Sequence, residues 1–101
     1  MFVGVLRLTF HIPHARSLKD KRRVVLKFRD RVRSRFDVSI AEVDAQDTHQ
    51  RAVFGVAVVS GDASVCDSVL GQVAHSAELA EDAVLTDRST EIITVGDDLY
   101  G

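Results

Sequence analysis

Residues 16–35 carry ten of the chain's thirteen lysines and arginines and two of its fifteen acids. That stretch has a formal balance of +8; the remainder, with three basic residues and thirteen acids, stands at −10. Its pattern predicts one long helix over residues 18–36. Ser17 is an N-cap whose hydroxyl can accept from the free N–H of Asp20. Asp20 then lies in the first turn, where a carboxylate suits the positive end of the helix dipole. Pro13 keeps the helix from starting earlier. At about 100° per residue, Leu18, Val25, Phe28, Val32 and Phe36 fall on one stripe with Val24 at its edge, and that stripe should face a core.

The other side is cationic. Lys19, Arg23, Lys27, Arg31 and Arg35 are spaced four apart, and Arg29 and Arg33 form another such pair. Like charges at that spacing destabilise a helix by roughly 0.2–0.5 kcal/mol per pair. The five pairs together therefore cost on the order of 1–2.5 kcal/mol at low salt. Successive members rise about 6 Å along the axis, a spacing that can track a phosphate backbone. A solvated face balanced by acids elsewhere is the competing reading. Lys21 falls on the apolar stripe. A snorkelling stem is the simplest account of it; an ion pair with Glu42 or Asp44, or a ligand contact, is the alternative.

The remaining segments read as strands and one further helix. Residues 2–12 alternate, with Leu6, Leu8, Phe10 and Ile12 on one side and Val3, Val5, Arg7, Thr9 and His11 on the other. A short β-branched run follows at 38–43, then a polar connection at 44–50. Residues 52–59 alternate again, Phe54, Val56 and Val58 against Val53, Gly55, Ala57 and Val59. Ser60-Gly-Asp62 is a turn into a second helix at 63–77, with Val65, Cys66, Val69, Leu70 and Val73 inward. A last strand lies within 84–95, clearest at 90–95. The order βαββαβ is the split-βαβ, ferredoxin-like arrangement: an α+β sandwich whose four-stranded antiparallel sheet carries both helices on one face. One domain is expected at 1–95, with a loose acidic tail at 96–101.

At 101 residues the chain is long enough for a core without staples. The single cysteine, Cys66, excludes an internal disulfide and a cysteine-rich zinc site. No apolar run approaches 18 residues, and Met1 leads directly into a strand pattern, so a cytoplasmic protein without a membrane anchor is expected.

Val3-Gly-Val-Leu-Arg-Leu8, His11-Ile-Pro13, Ser17-Leu-Lys-Asp-Lys-Arg-Arg-Val-Val25, Val38-Ser-Ile-Ala-Glu-Val-Asp44, Gln46-Asp47, Gln50-Arg-Ala52 and Val56-Ala-Val-Val-Ser60 together resemble the bacterial YlxP-like family over nearly the whole chain. The resemblance implies a small, cytoplasmic, ferredoxin-like domain of unknown biochemical function. Family genes often sit among those for transcription termination, translation initiation and ribosome maturation, which implies an RNA or ribosome connection by association. It implies no catalytic residues. The ending Gly96-Asp-Asp-Leu-Tyr-Gly101 departs from the pattern.

The candidate nucleic-acid contacts are Arg16, Lys19, Arg22, Arg23, Lys27, Arg31, Arg35 and Arg51. RNA-binding domains of this topology often stack bases on sheet aromatics. Here Phe10 and Phe54 point toward the helices, so binding would run through phosphate and shape, with poor sequence specificity. The partners expected are the ribosome or structured RNA; an acidic protein surface is the alternative. The uncovered sheet face is expected to make a homodimer through Val3, Val5, Arg7, Val53, Ala57 and Val59. An acylphosphatase-like enzyme would need a tight loop lined by backbone N–H groups after the first strand, an arginine such as Arg16, and an asparagine to orient water. The loop has no glycine and the chain has no asparagine. His11, His14 and His49 with Asp44 and Asp47 could ligate zinc, and Glu42, Asp44 and Asp47 could be an acid–base site. Surface histidines, and hairpin acids that compensate Lys21, Arg22 or Arg51, are the simpler readings. No enzyme activity, cofactor or small-molecule substrate is expected.

Overall fold

The computed structural model describes residues 1–96, so the tail expected at 96–101 lies, beyond Gly96, outside the described residues. The elements run β1 (Phe2–His11), α1 (Leu18–Arg35), β2 (Ser39–Asp44), β3 (Arg51–Ser60), α2 (Ala63–Glu78) and β4 (Val84–Thr94). The strands pair antiparallel in the order β2-β3-β1-β4. Both helices cover one face. This is the ferredoxin-like α+β sandwich that the pattern of periodicities predicts.

The helix starts follow from side-chain caps. Ser17 Oγ accepts from the Asp20 N–H at 3.1 Å, and the Asp20 carboxylate accepts from the Arg16 N–H at 3.0 Å. One orphan donor of α1 is thereby satisfied, and the Asp20 carboxylate ties the residue before the cap to the first turn. At α2, Asp62 Oδ1 accepts from both the N–H and the hydroxyl of Ser64, at 2.9 and 2.7 Å. Those hydrogen bonds from Ser64 hold the Asp62 carboxyl below its ordinary range.

The core lies between the central strands and the helices. Leu6, Leu8 and Phe10 of β1 and Phe54, Val56 and Val58 of β3 meet Val25, Phe28 and Val32 of α1 and Cys66, Leu70 and Val73 of α2. The rings of Phe10, Phe28 and Phe54 pack edge to face, with centroids 5.1–5.8 Å apart. Gly4 allows α2 to close on β1: a Cβ there would meet Leu70 Cδ1 at 2.8 Å and Cys66 Cβ at 3.1 Å.

Four expectations are corrected. Leu18 is 49% exposed. Its place on the buried stripe of α1 is taken by Lys21, with Val25, Phe28 and Val32. Lys21 does not snorkel, because it is 2% exposed and paired with Glu42. In α2, Val65 is exposed, since the buried stripe centres on Cys66, Leu70, Val73 and Ala77, one residue around the helix from it. Val53 is on the open sheet face as expected but is fully buried, so it offers no surface to a partner. In register it lies between Thr9 and Asp44. The Arg7 guanidinium reaches across β3 to within 3.8 Å of the Asp44 carboxylate.

β4 is longer than its recognisable half at 90–95. Its opening residues Thr86, Asp87, Arg88 and Ser89 are polar because the strand is a sheet edge, where only Leu85 and Ile92 are half-buried. A bulge opposite Thr9 and Phe10 is tied by the Thr86 hydroxyl, which donates to the Thr9 carbonyl at 3.1 Å.

Candidate nucleic-acid interface

A step of four residues on a helix advances about 40° around it. The row Lys19, Arg23, Lys27, Arg31, Arg35 therefore winds from solvent toward α2. Lys19 and Arg23 are exposed. Lys27 is exposed too, with Nζ 3.9 Å from the Asp82 carboxylate. Arg31 is half-buried, its guanidinium 5.8 Å from the centroid of the Phe28 ring. Arg35 lies over Phe36 at 5.4 Å. The row is thus a phosphate-sized track at its N-terminal end and an aromatic-backed flank at its C-terminal end.

A second cationic row, on the other flank, joins the four-spaced pair Arg29 and Arg33 to Arg22. Arg22, Arg29 and Arg33 border a groove of about 300 Å³ along β2, with Leu18, Leu26 and Ile40 among its apolar walls. Arg33 donates to the Ile40 carbonyl at 3.4 Å, and Arg29 pairs with Asp30 at 3.1 Å. The signal was present: positions 22, 29 and 33 are separated by seven and four, the spacing of one helix face.

Ion pairing leaves much of this helix uncompensated. Among the described residues, Arg16, Lys19, Arg22, Arg23, Arg31, Arg33 and Arg35 have no carboxylate within 4.0 Å. Arg51 does not join them. It pairs in register with His11 and alternates with Ala52 and Phe54, so it belongs to the open face of the sheet, opposite the helices.

Lys21 organises the neighbouring loop. Its ammonium lies 2.8 Å from Glu42 Oε2 and donates to the carbonyls of Ala45 and Thr48, at 2.5 and 2.8 Å. Two hydrogen-bonded carbonyls and a carboxylate at contact distance surround the ammonium and offset the cost of burying it. Ala45 holds a φ of 60°, in the left-handed region, and its N–H is taken by the Asp44 side chain at 2.8 Å. Glu42 is therefore a hairpin acid that compensates Lys21, and Asp44 compensates Arg7. Among the described residues, no three of His, Cys, Asp and Glu gather as a metal site would, so His11, His14 and His49 are not brought together with Asp44 and Asp47. Cys66 is fully buried, with Sγ 3.8 Å from the Phe2 carbonyl. No helix among the described residues is long and apolar enough to cross a membrane.

Fold and site together define a ferredoxin-like α+β domain whose outer layer carries one long, largely uncompensated cationic helix. Residues 3–90 match the family described as "Protein of unknown function (DUF503)", and the chain belongs to that family. It is similar to the uncharacterized protein YlxP of Bacillus subtilis (strain 168), at 45% identity over 58 residues. That match takes in 57% of this chain and 63% of the relative, so the chain spans less than two thirds of the relative's length. A solved structure with the same fold is the de novo designed protein Foldit4, with a TM-score of 0.54 at 9% identity, over 95% of this chain and 100% of that one. At that identity the likeness shows the fold alone.

Proposed function

We propose that this protein is a cytoplasmic RNA- or ribosome-associated factor that acts by binding rather than by catalysis. In this reading Arg16, Lys19, Arg22, Arg23 and Lys27 lie on phosphates, with Arg31 and Arg35 at the C-terminal end of the track. The observation that carries it is the unspent charge of α1. The rest of the chain has an acid surplus of −10, yet among the described residues only Lys21, Lys27 and Arg29 of that helix have a carboxylate partner. A merely solvated face has no reason to retain the repulsion of a four-spaced cationic row. Contacts of this kind position a protein on phosphate and carry little sequence information.

The test is binding of the purified protein to ribosomal subunits and to bulk structured RNA between about 50 and 300 mM salt. Affinity falling linearly on a log–log plot, with a slope of several phosphates, supports the reading. No binding at the lowest salt removes it.

A second copy is the partner we propose for the open sheet face. Val59 is 61% exposed there, and Val59 and Ile93 flank Val3 in register, forming one apolar row across three strands. Sedimentation at tens of micromolar should report a dimer, and Val59→Asp should give a monomer of unchanged fold.

A further inference from the structure

The flank of α1 that faces α2 borders a cavity of about 240 Å³. Its floor is the packed set Phe10, Phe28 and Phe54, with Val24 and Ala83 at the sides. Lys27, Arg31, Glu81 and Asp82 stand around its mouth, and Leu79 lies at the rim, 63% exposed. An apolar cavity of about 150 Å³ accommodates a benzene ring. This one has room for such a ring and an arm of two or three further atoms.

The charges at the mouth are not equivalent. Lys27 and Asp82 face each other at 3.9 Å, and Glu81 is exposed to solvent. Arg31 is different. Its guanidinium lies over the Phe28 ring, and its Nε is shielded from solvent without a hydrogen-bond partner. No carboxylate of the described residues lies within 4.0 Å of that guanidinium, and a guanidinium is best satisfied by a carboxylate that takes two of its N–H groups in parallel. The unpaired guanidinium, the apolar wall of Val24 and Ala83 above the packed rings, and the exposed Leu79 are the three things a small amphiphilic acid would complement.

We propose that this cavity binds a small organic carboxylate with an apolar body of about one ring, its carboxylate on Arg31 and its ring against Val24, Leu79 and Ala83, over the packed phenylalanines. A free aryl or short-chain acid and an apolar α-amino acid share this chemistry. The amino acid would in addition set its ammonium against Glu81 or Asp82. The inference does not rest on the RNA reading, because ligand and RNA binding are measured separately and either can fail alone.

The experiment is a two-dimensional NMR titration of the full chain with 3-phenylpropionate, with its neutral amide, and with phenylalanine. Saturable binding of 3-phenylpropionate is expected, with shifts confined to the amides around residues 24–31 and 79–83. The amide should bind about tenfold or more weakly, since it forfeits the charge-assisted pair. Arg31→Gln should weaken the acid by a similar factor and leave the amide unaffected. Ala83→Leu, which grows a side chain into the cavity, should abolish binding of the acid while the spectrum of the free variant remains that of a folded protein. Phenylalanine binding more tightly than 3-phenylpropionate assigns the amino-acid class; weaker binding assigns the simple acid. The proposal is overturned if none of the probes binds at millimolar concentration. It is equally overturned if acid and amide bind alike, or if Ala83→Leu leaves binding intact.

Discussion

The buried Lys21 and the half-buried Glu42 form an ion pair, Nζ to Oε2 at 2.8 Å, that joins the first turn of α1 to β2. The same ammonium holds the carbonyls of Ala45 and Thr48, so one side chain closes the β2–β3 connection. Lys21→Met fills the space but leaves Glu42 without its counter-ion and two carbonyls without their donor. Breaking one side of such a pair should cost about 3 kcal/mol in urea denaturation. Adding Glu42→Leu should recover a substantial part of the loss, because replacing both charges removes the desolvated carboxylate as well. A Lys21→Met loss below about 0.5 kcal/mol would show the pair to be without structural weight.

How much of this was readable beforehand can be judged at that pair. Strand alternation, the caps at Ser17 and Asp62 and the βαββαβ order are local signals, and the folded chain carries them all. Lys21 on the apolar stripe was visible as an anomaly, and Glu42 was among its possible partners. What periodicity could not decide is which of two candidates on a stripe is covered. Leu18 and Lys21 are three residues apart, and only the loop laid over the helix N-terminus determines that the lysine is buried. The cavity beside Arg31 was invisible for a similar reason, since residues 24–31 and 79–83 are far apart in sequence. Arg51 looked like one more cation. Yet it shares the parity of Val53 and Val59, and the alternation of β3 places it across the sheet from α1.

Ala45 is the one non-glycine residue with a positive φ among the described residues, at 60°. A left-handed conformation costs a residue with a Cβ about 1–2 kcal/mol. Glycine removes that cost but returns part of it through a freer unfolded chain. Ala45→Gly should therefore stabilise the protein by about 0.5–1 kcal/mol, read as a higher urea midpoint at unchanged slope. A loss of stability would mean that the alanine methyl makes contacts worth more than the strain.

Asp62 caps α2 with a carboxyl held below its ordinary value of 3.8 by the hydrogen bonds from Ser64. A lowered folded-state pKa stabilises the protein above the unfolded value, and the stabilisation disappears as pH falls through the folded one. Asp62→Asn keeps a capping side chain but does not titrate. The wild-type advantage over Asp62→Asn should therefore be constant at neutral pH and shrink as pH is lowered from 3.8. Parallel melting-temperature curves for the two proteins across that range would show that the cap does not titrate with folding.

Arg23 separates a cationic face kept for binding from one that is merely solvated. It is exposed, has no carboxylate within 4.0 Å among the described residues, and stands four residues from both Lys19 and Lys27. Arg23→Glu turns two repulsive pairs into two attractive ones, each changing by about 0.4–1 kcal/mol at low salt. The variant should thus melt higher than the wild type, by an amount that shrinks as salt is added. RNA affinity should fall at the same time, and the slope of log affinity against log salt should shrink by about one unit for the lost phosphate contact. Greater stability with weaker binding is the combination expected of a helix whose charges oppose its own folding and serve a partner. Greater stability with unchanged RNA binding would place the phosphate contacts elsewhere on the molecule.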